Sequence, residues 1–224
     1  MMTGRRVTSR AMRDHDVRTA LRELLTVEHA ADMSSTLLVD ELGLCGESRV
    51  DMAVVNGSLT GYELKSARDN LDRLPGQVET YGRVLDYVYL VVADNHLDQA
   101  RAIVPSWWGV VVAKDGEGGV VLKPRRKARP NPAVDAYSLA QLLWRDEALA
   151  LLTELGLDAG FRAKPRHMLW ERLAQHLELD ELRGLVRDTL KARRGWRERP
   201  ARRGSAGTSL PAGGIPGFLA RRLR

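Results

Sequence analysis

The stretch from Arg49 to Ser66, RVDMAVVNGSLTGYELKS, constrains the fold of this chain more than any other. It holds two β-rich runs around Asn56-Gly57, a dipeptide that tolerates positive φ and is a strong hairpin signal. Side chains alternate along a strand, so Glu63 and Lys65 share one face while Leu64 points to the other. Asp51 stands on the preceding arm. A two-residue turn would pair Val55 with Ser58 and Asp51 with Tyr62, leaving Asp51 and Glu63 on opposite faces of the sheet. A three-residue loop, Asn56 to Ser58, pairs Val55 with Leu59 and Asp51 with Glu63; a bulge near Gly61 would serve as well. One of these irregularities is expected if the two acids act together.

Two carboxylates on one sheet face repel each other unless a cation lies between them. A hard divalent ion, Mg²⁺ or Mn²⁺, takes one or two carboxylates and fills its remaining positions with water and phosphate oxygens. Such an ion acidifies water into a nucleophile and screens the charge on phosphorus. A neighbouring lysine can orient that water or steady the developing charge. Asp51, Glu63 and Lys65 are therefore the residue types that metal-dependent phosphodiester cleavage needs. By themselves, Glu63 and Lys65 also read as a surface strand pair worth about 0.2–1 kcal/mol.

The remaining pattern places this hairpin in a mixed α/β sheet. Asp14 to Leu25 reads as a helix, with Val17, Leu21, Leu24 and Leu25 on one stripe and Asp14 or Asp16 as its cap. Thr36 to Leu42 is a short apolar run whose helix or strand character stays open. Asp69 to Leu85 reads as a helix with Leu71, Leu74, Val78 and Leu85 inward and Pro75 near its first turn or a kink. Tyr87 to Ala93 is a near-continuous apolar run, as in a strand covered on both faces. His96 to Ile103 can form a short helix, and Trp108 to Lys114 and Gly118 to Lys123 read as strands. The proline-rich Ala128 to Ala133 reads as a linker. Helical spacing returns at Tyr137 to Leu155, Arg166 to Leu177 and Asp180 to Ala192. The expected organisation is a sheet domain over 1–127, a linker over 128–135, a small helical subdomain over 136–194 and a disordered basic tail over 195–224.

The net charge of +6 over 224 residues hides its distribution. Lys191 to Arg224 holds ten basic residues and one acid, so the rest of the chain is mildly acidic. A second block, Lys123 to Arg129, holds five cations: Lys123, Arg125, Arg126, Lys127 and Arg129. Basic blocks attract nucleic acid by releasing condensed counterions, although a solvated tail that aids solubility looks the same. One cysteine, Cys45, excludes an internal disulfide framework and any multi-cysteine zinc site. No apolar run of about 18 residues is present and no greasy stretch follows the N-terminus, so a cytoplasmic protein that neither spans a membrane nor carries a secretory signal is expected. The five histidines show no ligand spacing. A phosphate-binding P-loop and a dinucleotide fingerprint are both missing, which argues against ATP or NAD use.

Asp51 with Glu63-Leu64-Lys65 resembles the PD-(D/E)XK nuclease superfamily, whose restriction-endonuclease-like fold is a mixed sheet flanked by helices. Val50 stands where many members have proline. The resemblance implies Glu41 as the upstream acid, with Glu23 and Glu28 as alternatives. Gln77 and Tyr81, four apart, are similar to the Q-x-x-x-Y of the RecB-like and Cas4-like branches. The strings GYELKSARDNLDRLPGQVETY and PSWWGV look like a small bacterial and phage family within that superfamily. The resemblance covers roughly residues 14–123 and implies a Mg²⁺- or Mn²⁺-dependent DNA endonuclease. Asp51, Glu63 and Glu41 would hold the metal, Lys65 would act on water or the transition state, and Gln77 and Tyr81 would support the site. Lys123, Arg125, Arg126, Lys127, Arg129, Arg193 and Arg194 would hold the phosphate backbone, which positions a strand without reading its bases. RNA as substrate stays open. So does a homodimer, since paired cuts in a duplex need two sites. The rival expectation is a catalytically inactive member serving as a nucleic-acid-binding or protein-interaction module.

Beside these stand plainer readings. Asp69 reads equally as a helix N-cap, Arg73 as a surface cation and Ser66 as a helix-entry residue. Trp107-Trp108 reads as packing at the start of an edge strand in preference to a base-stacking platform.

Overall fold

A computed structural model describes residues 12–116 and 119–193. In it the Arg49 to Ser66 hairpin becomes β2 (Ser48–Val55) and β3 (Leu59–Lys65), paired antiparallel from Val55↔Leu59 to Met52↔Tyr62. The ambiguous run after Thr36 is a strand, β1 (Leu37–Leu44), antiparallel to β2. Two further strands run parallel to β3: β4 (Tyr87–Ala93) beside it and then β5 (Gly109–Gly116). The last, β6 (Gly119–Arg126), returns antiparallel to β5 with a register shift at Val110/Val111. The six strands lie in sequence order, β1 to β6, as one mixed sheet.

Parallel neighbours need a crossover, and helices supply both. The segment α2 (Leu74–Val84) joins β3 to β4. A 3-10 turn, Asp94–His96, followed by α3 (Leu97–Ile103), joins β4 to β5. Both pack on the sheet face that carries Ala53, Val55, Leu59, Leu90 and Val92. The opposite face, with Met52, Val54, Tyr62, Leu64 and Val91, is covered by α1 (Asp14–Glu28) through Val17, Leu21 and Leu25. Neither expected aspartate caps α1 as its N-cap residue. Arg13 occupies that position, and Asp16 accepts the Arg13 N–H at 3.0 Å from within the first turn.

The expected helix from Asp69 begins five residues late, at Leu74. Asp69 turns back instead, its carboxylate accepting the Ser66 N–H at 2.7 Å. Leu71 is buried as expected, but in a turn closed by the Leu74 N–H on its carbonyl at 2.9 Å. Pro75 lies in the first turn of α2, where a missing N–H costs nothing.

The expected helix Tyr137 to Leu155 is two helices, α4 (Ala136–Ala140) and α5 (Arg145–Glu154). Leu142 and Leu143, between them, are both buried, so the break leaves the apolar pattern unbroken. Then α6 (Arg166–His176) and α7 (Leu179–Ala192) follow as expected. These helices share one core with the α2 side of the sheet, running from Val39 and Leu90 to Leu182, Val186 and Leu190. Residues 128–133 are pinned to that body. Asn131, 7% exposed, donates from Nδ2 to the carbonyls of Gly82 and Leu85, both at 2.7 Å, and its N–H reaches the Asp86 carbonyl at 2.9 Å. It thereby satisfies carbonyls at the C-terminus of α2, where helical partners run out. No helix among the described residues is long and apolar enough to cross a membrane.

Candidate active site

The loop between β2 and β3 supplies the required offset. Asn56, Gly57 and Ser58 form a three-residue connection in which Asn56 Oδ1 accepts the Ser58 N–H at 3.1 Å. This side-chain turn closes the loop locally. The alternative bulge is not used, since Gly61 pairs regularly with Ala53. Pairing stops at Met52↔Tyr62, although β2 begins at Ser48 and β3 runs to Lys65. Extended one step, the same register would bring Asp51 level with Glu63, but the ladder ends before that pair. There the Asp51 carboxylate, through Oδ2, accepts the Leu64 N–H at 2.8 Å, a donor that the ladder no longer satisfies.

Glu63 is 2% exposed, a burial that a carboxylate tolerates only with partners. Its Oε1 accepts from Lys65 Nζ at 2.7 Å and from Gln77 Nε2 at 2.7 Å, and its Oε2 accepts from the Tyr81 hydroxyl at 2.6 Å. Gln77 also accepts from Lys65 Nζ through Oε1 at 3.1 Å. Gln77 and Tyr81 are one helical turn apart on α2, so both reach the same strand. Tyr81 lies flat against Trp108, with ring centroids 5.9 Å apart. Trp108 is fully buried and backs Tyr81 at the head of β5, which is an interior strand and not the expected edge strand. Burial and the Asp51 charge push the Glu63 carboxyl above the usual carboxylate range, against the opposing pull of Lys65 and Tyr81. Burial and the Glu63 charge push the Tyr81 hydroxyl well up, so it remains a donor at neutral pH.

A residue from outside the motif completes the arrangement. Arg18 of α1 donates from Nη1 to the Asp51 carbonyl at 2.7 Å and from Nη2 to Asp51 Oδ1 at 3.0 Å. Burial raises the Asp51 pKa, opposed by the Leu64 N–H and by the Arg18 charge. The sequence held one signal for Arg18: it follows the inward-facing Val17 at the margin of the apolar stripe of α1. Asp51, Glu63, Lys65 and Gln77 all line one cavity of about 1150 Å³, with Arg18 and the exposed Arg68 and Arg73 along its walls. The walls therefore combine one buried and one half-buried acid with cations and with further exposed acids.

Glu41 does not join this group. It sits on β1 at φ 54, is exposed, and pairs with Arg49 at 3.3 Å. The positive φ breaks the strand alternation that would have turned it inward. Its alternatives, Glu23 and Glu28, are exposed residues of α1 and do not line the cavity. Among the described residues no group of three or more His, Cys, Asp or Glu side chains stands ready to hold a metal. Two carboxylates nonetheless fit an ion that draws its other ligands from water and phosphate. Among the described residues Glu63 Oε2 and both Asp51 oxygens each accept one hydrogen bond, which leaves lone pairs for such an ion.

The expected phosphate contacts divide. Lys123, Arg125 and Lys127 are exposed, the first two on the edge strand β6. Charge there also discourages edge-to-edge pairing with another sheet. Arg126 is spent on structure, donating to the carbonyls of Trp108 at 2.7 Å and Pro105 at 3.0 Å. Arg129 reaches the Ser106 carbonyl at 3.1 Å. Arg193 is 4% exposed at its side chain and is clamped by Glu147 at 2.5 Å, so it does not face solvent as expected. Arg194 and the remaining tail lie outside the described residues.

Fold and site together define a mixed α/β protein with two carboxylates and a lysine gathered at one end of its central strands. The chain belongs to the bacteriophage P4 protein cII family, whose model matches residues 8–201. It is similar to protein cII of Enterobacteria phage P4, 28% identical over 183 residues that cover 81% of this chain and 68% of that protein. Among solved structures, a Silicibacter pomeroyi protein of unknown function, SPO1766, superposes with a TM-score of 0.35 at 18% identity, covering 59% of this chain and 88% of that one. SfsA of Pyrococcus furiosus, solved in complex with Ca²⁺, superposes with a TM-score of 0.32 at 10% identity, covering 50% and 64%. At these scores neither superposition bears on the site.

Proposed function

We propose that this chain is a metal-dependent nuclease of the PD-(D/E)XK type, cleaving phosphodiester bonds in nucleic acid, with DNA as the expected substrate. The observation that supports the reading is that Asp51, bonded to the Leu64 N–H, and Glu63, bonded to Lys65, line one cavity. In this reading Asp51 and Glu63 would hold Mg²⁺ or Mn²⁺. The ion would lend positive charge to the phosphate and make an attacking water acidic. Lys65, steered by Gln77 and Glu63, presents an ammonium that can donate to charge developing on a phosphate oxygen. Tyr81 fixes the second oxygen of Glu63 and so the direction in which that carboxylate faces the cavity. The exposed Lys123, Arg125 and Lys127 are candidates for backbone contacts at a distance from the chemistry.

The test is incubation of the purified protein with supercoiled plasmid, linear duplex, single-stranded DNA and RNA in Mg²⁺, Mn²⁺ or EDTA. Cleavage that needs the ion and is lost in Asp51→Ala, Glu63→Ala and Lys65→Ala supports the proposal. Wild-type rates in all three variants would refute it. One observation favours a second reading, a binding module of the same fold: three side chains already bond Glu63, and among the described residues no group of three His, Cys, Asp or Glu side chains is gathered so as to hold a metal. Salt-dependent binding without cleavage under every condition would favour that module.

A further inference from the structure

Each buried or half-buried acid of the cavity has its own resident cation. Lys65 serves Glu63, and Arg18 serves Asp51. A divalent ion entering between these two acids would meet both cations at close range in a partly buried place, where charges interact strongly, although the exposed Asp14, Glu47, Asp69, Asp72 and Glu79 also line the cavity. A phosphate that enters with the ion offers one of the two cations another partner and so relieves that repulsion.

The two cations differ in their freedom to move. The Lys65 side chain is 6% exposed and is held by both Glu63 and Gln77. The Arg18 side chain is 22% exposed; besides the Asp51 carboxylate and carbonyl, it meets among the described residues the half-exposed Asp14 carboxylate at 3.4 Å. Arg18 also holds its positive charge 3.0 Å from Asp51 Oδ1, so a metal approaching that oxygen would meet it at close range. Its planar fork of donors matches two phosphate oxygens as well as it matches a carboxylate.

We propose that Arg18 is a charge gate: it substitutes for the divalent ion at Asp51 when the cavity is empty, and transfers to a backbone phosphate when ion and strand enter together. This rests on the nuclease reading and adds to it a coupling between metal and nucleic acid. The ion alone binds weakly, the strand and the ion strengthen each other, and linkage makes that effect reciprocal.

The experiment is calorimetric titration of the full chain with MnCl₂, alone and with a short single-stranded DNA whose phosphorothioate linkages resist cleavage. Wild type should take up Mn²⁺ weakly, and the oligonucleotide should tighten uptake by about tenfold or more. Arg18→Gln should bind Mn²⁺ alone about fivefold more tightly than wild type and lose most of the oligonucleotide effect. If Arg18→Gln binds Mn²⁺ no more tightly than wild type, while Asp51→Ala abolishes uptake, Arg18 is only a brace; the gate is then refuted and the metal site stands. If wild type takes up no Mn²⁺ even with the oligonucleotide, the nuclease reading falls and the gate falls with it. Thermal unfolding checks that each variant is folded. Should Arg18→Gln fail to fold, Arg18→Lys decides: without the fork its oligonucleotide effect should shrink, and an unchanged effect overturns the proposal.

Discussion

The Tyr81 hydroxyl lies 2.6 Å from Glu63 Oε2 and 2.9 Å from the Arg49 carbonyl, tying α2 to both arms of the hairpin. Tyr81→Phe keeps the ring against Trp108 but leaves a buried carboxylate oxygen short of a donor. The expected cost is about 1–3 kcal/mol. Thermal unfolding should fall by about 2–4 °C for each kcal/mol lost. An unchanged midpoint would mean that water replaces the hydroxyl and that the site is wetter than its burial implies.

Burial raises the pKa of both acids, so the fold favours their protonated forms. The sign follows directly. Their contribution to stability is present below the ordinary carboxylate value, 3.8 for Asp51, and is lost as pH rises through the raised one. Asp51→Asn removes this dependence at one position. Denaturant unfolding of both proteins from acid to neutral pH should show Asp51→Asn gaining on wild type as pH increases. A constant difference would show that Arg18 and the Leu64 N–H fully offset the desolvation.

Gly61 is required by close packing beneath the hairpin. A Cβ at this position would lie 2.5 Å from Leu85 Cδ1 and 3.1 Å from Val50 Cγ2, and both neighbours are fully buried. Gly61→Ala should destabilise by about 1–3 kcal/mol through overpacking. Adding Leu85→Val should recover part of that loss, a non-additivity that a double-mutant cycle measures.

Arg193 and the β6 cations should separate cleanly. Arg193 bonds both oxygens of Glu147, at 2.7 and 2.5 Å, donates to the Leu142 carbonyl at 2.8 Å and lies 4.1 Å over the Trp144 ring. Arg193→Ala should cost about 3 kcal/mol, the low end for breaking a buried pair. Lys123→Ala with Arg125→Ala should stay within about 0.5 kcal/mol of wild-type stability. If these two hold phosphates, the pair should instead weaken DNA binding and flatten its salt dependence. Filter binding over a salt series, beside thermal unfolding, reads both quantities.

Much of the hairpin was legible because several constraints converge there. Alternation places Glu63 beside Lys65, and the need for Asp51 on the same face demanded an extra loop residue, which Asn56 to Ser58 provides. Gln77 and Tyr81 followed from helical spacing. Glu41 was misplaced because a single positive φ, in a residue type that does not advertise it, cancels strand alternation. Asp69 looked like a cap because its composition suits one, yet its carboxylate serves Ser66. Arg193 reads with the basic run that follows it, because charge runs are local in sequence, whereas its partner Glu147 is 46 positions away. Arg18 escaped for the same reason, its contact with Asp51 spanning 33 positions.

Asn131 has a practical consequence for anyone hoping to dissect this molecule. A cut after β6 would strip two carbonyls at the end of α2 of their donor and bare the greasy floor now roofed by α4 to α7. The helix bearing Gln77 and Tyr81 would lose its anchor in the same stroke. The strands and the trailing helices should therefore be produced as one piece, and a sheet fragment alone should be recovered as aggregate.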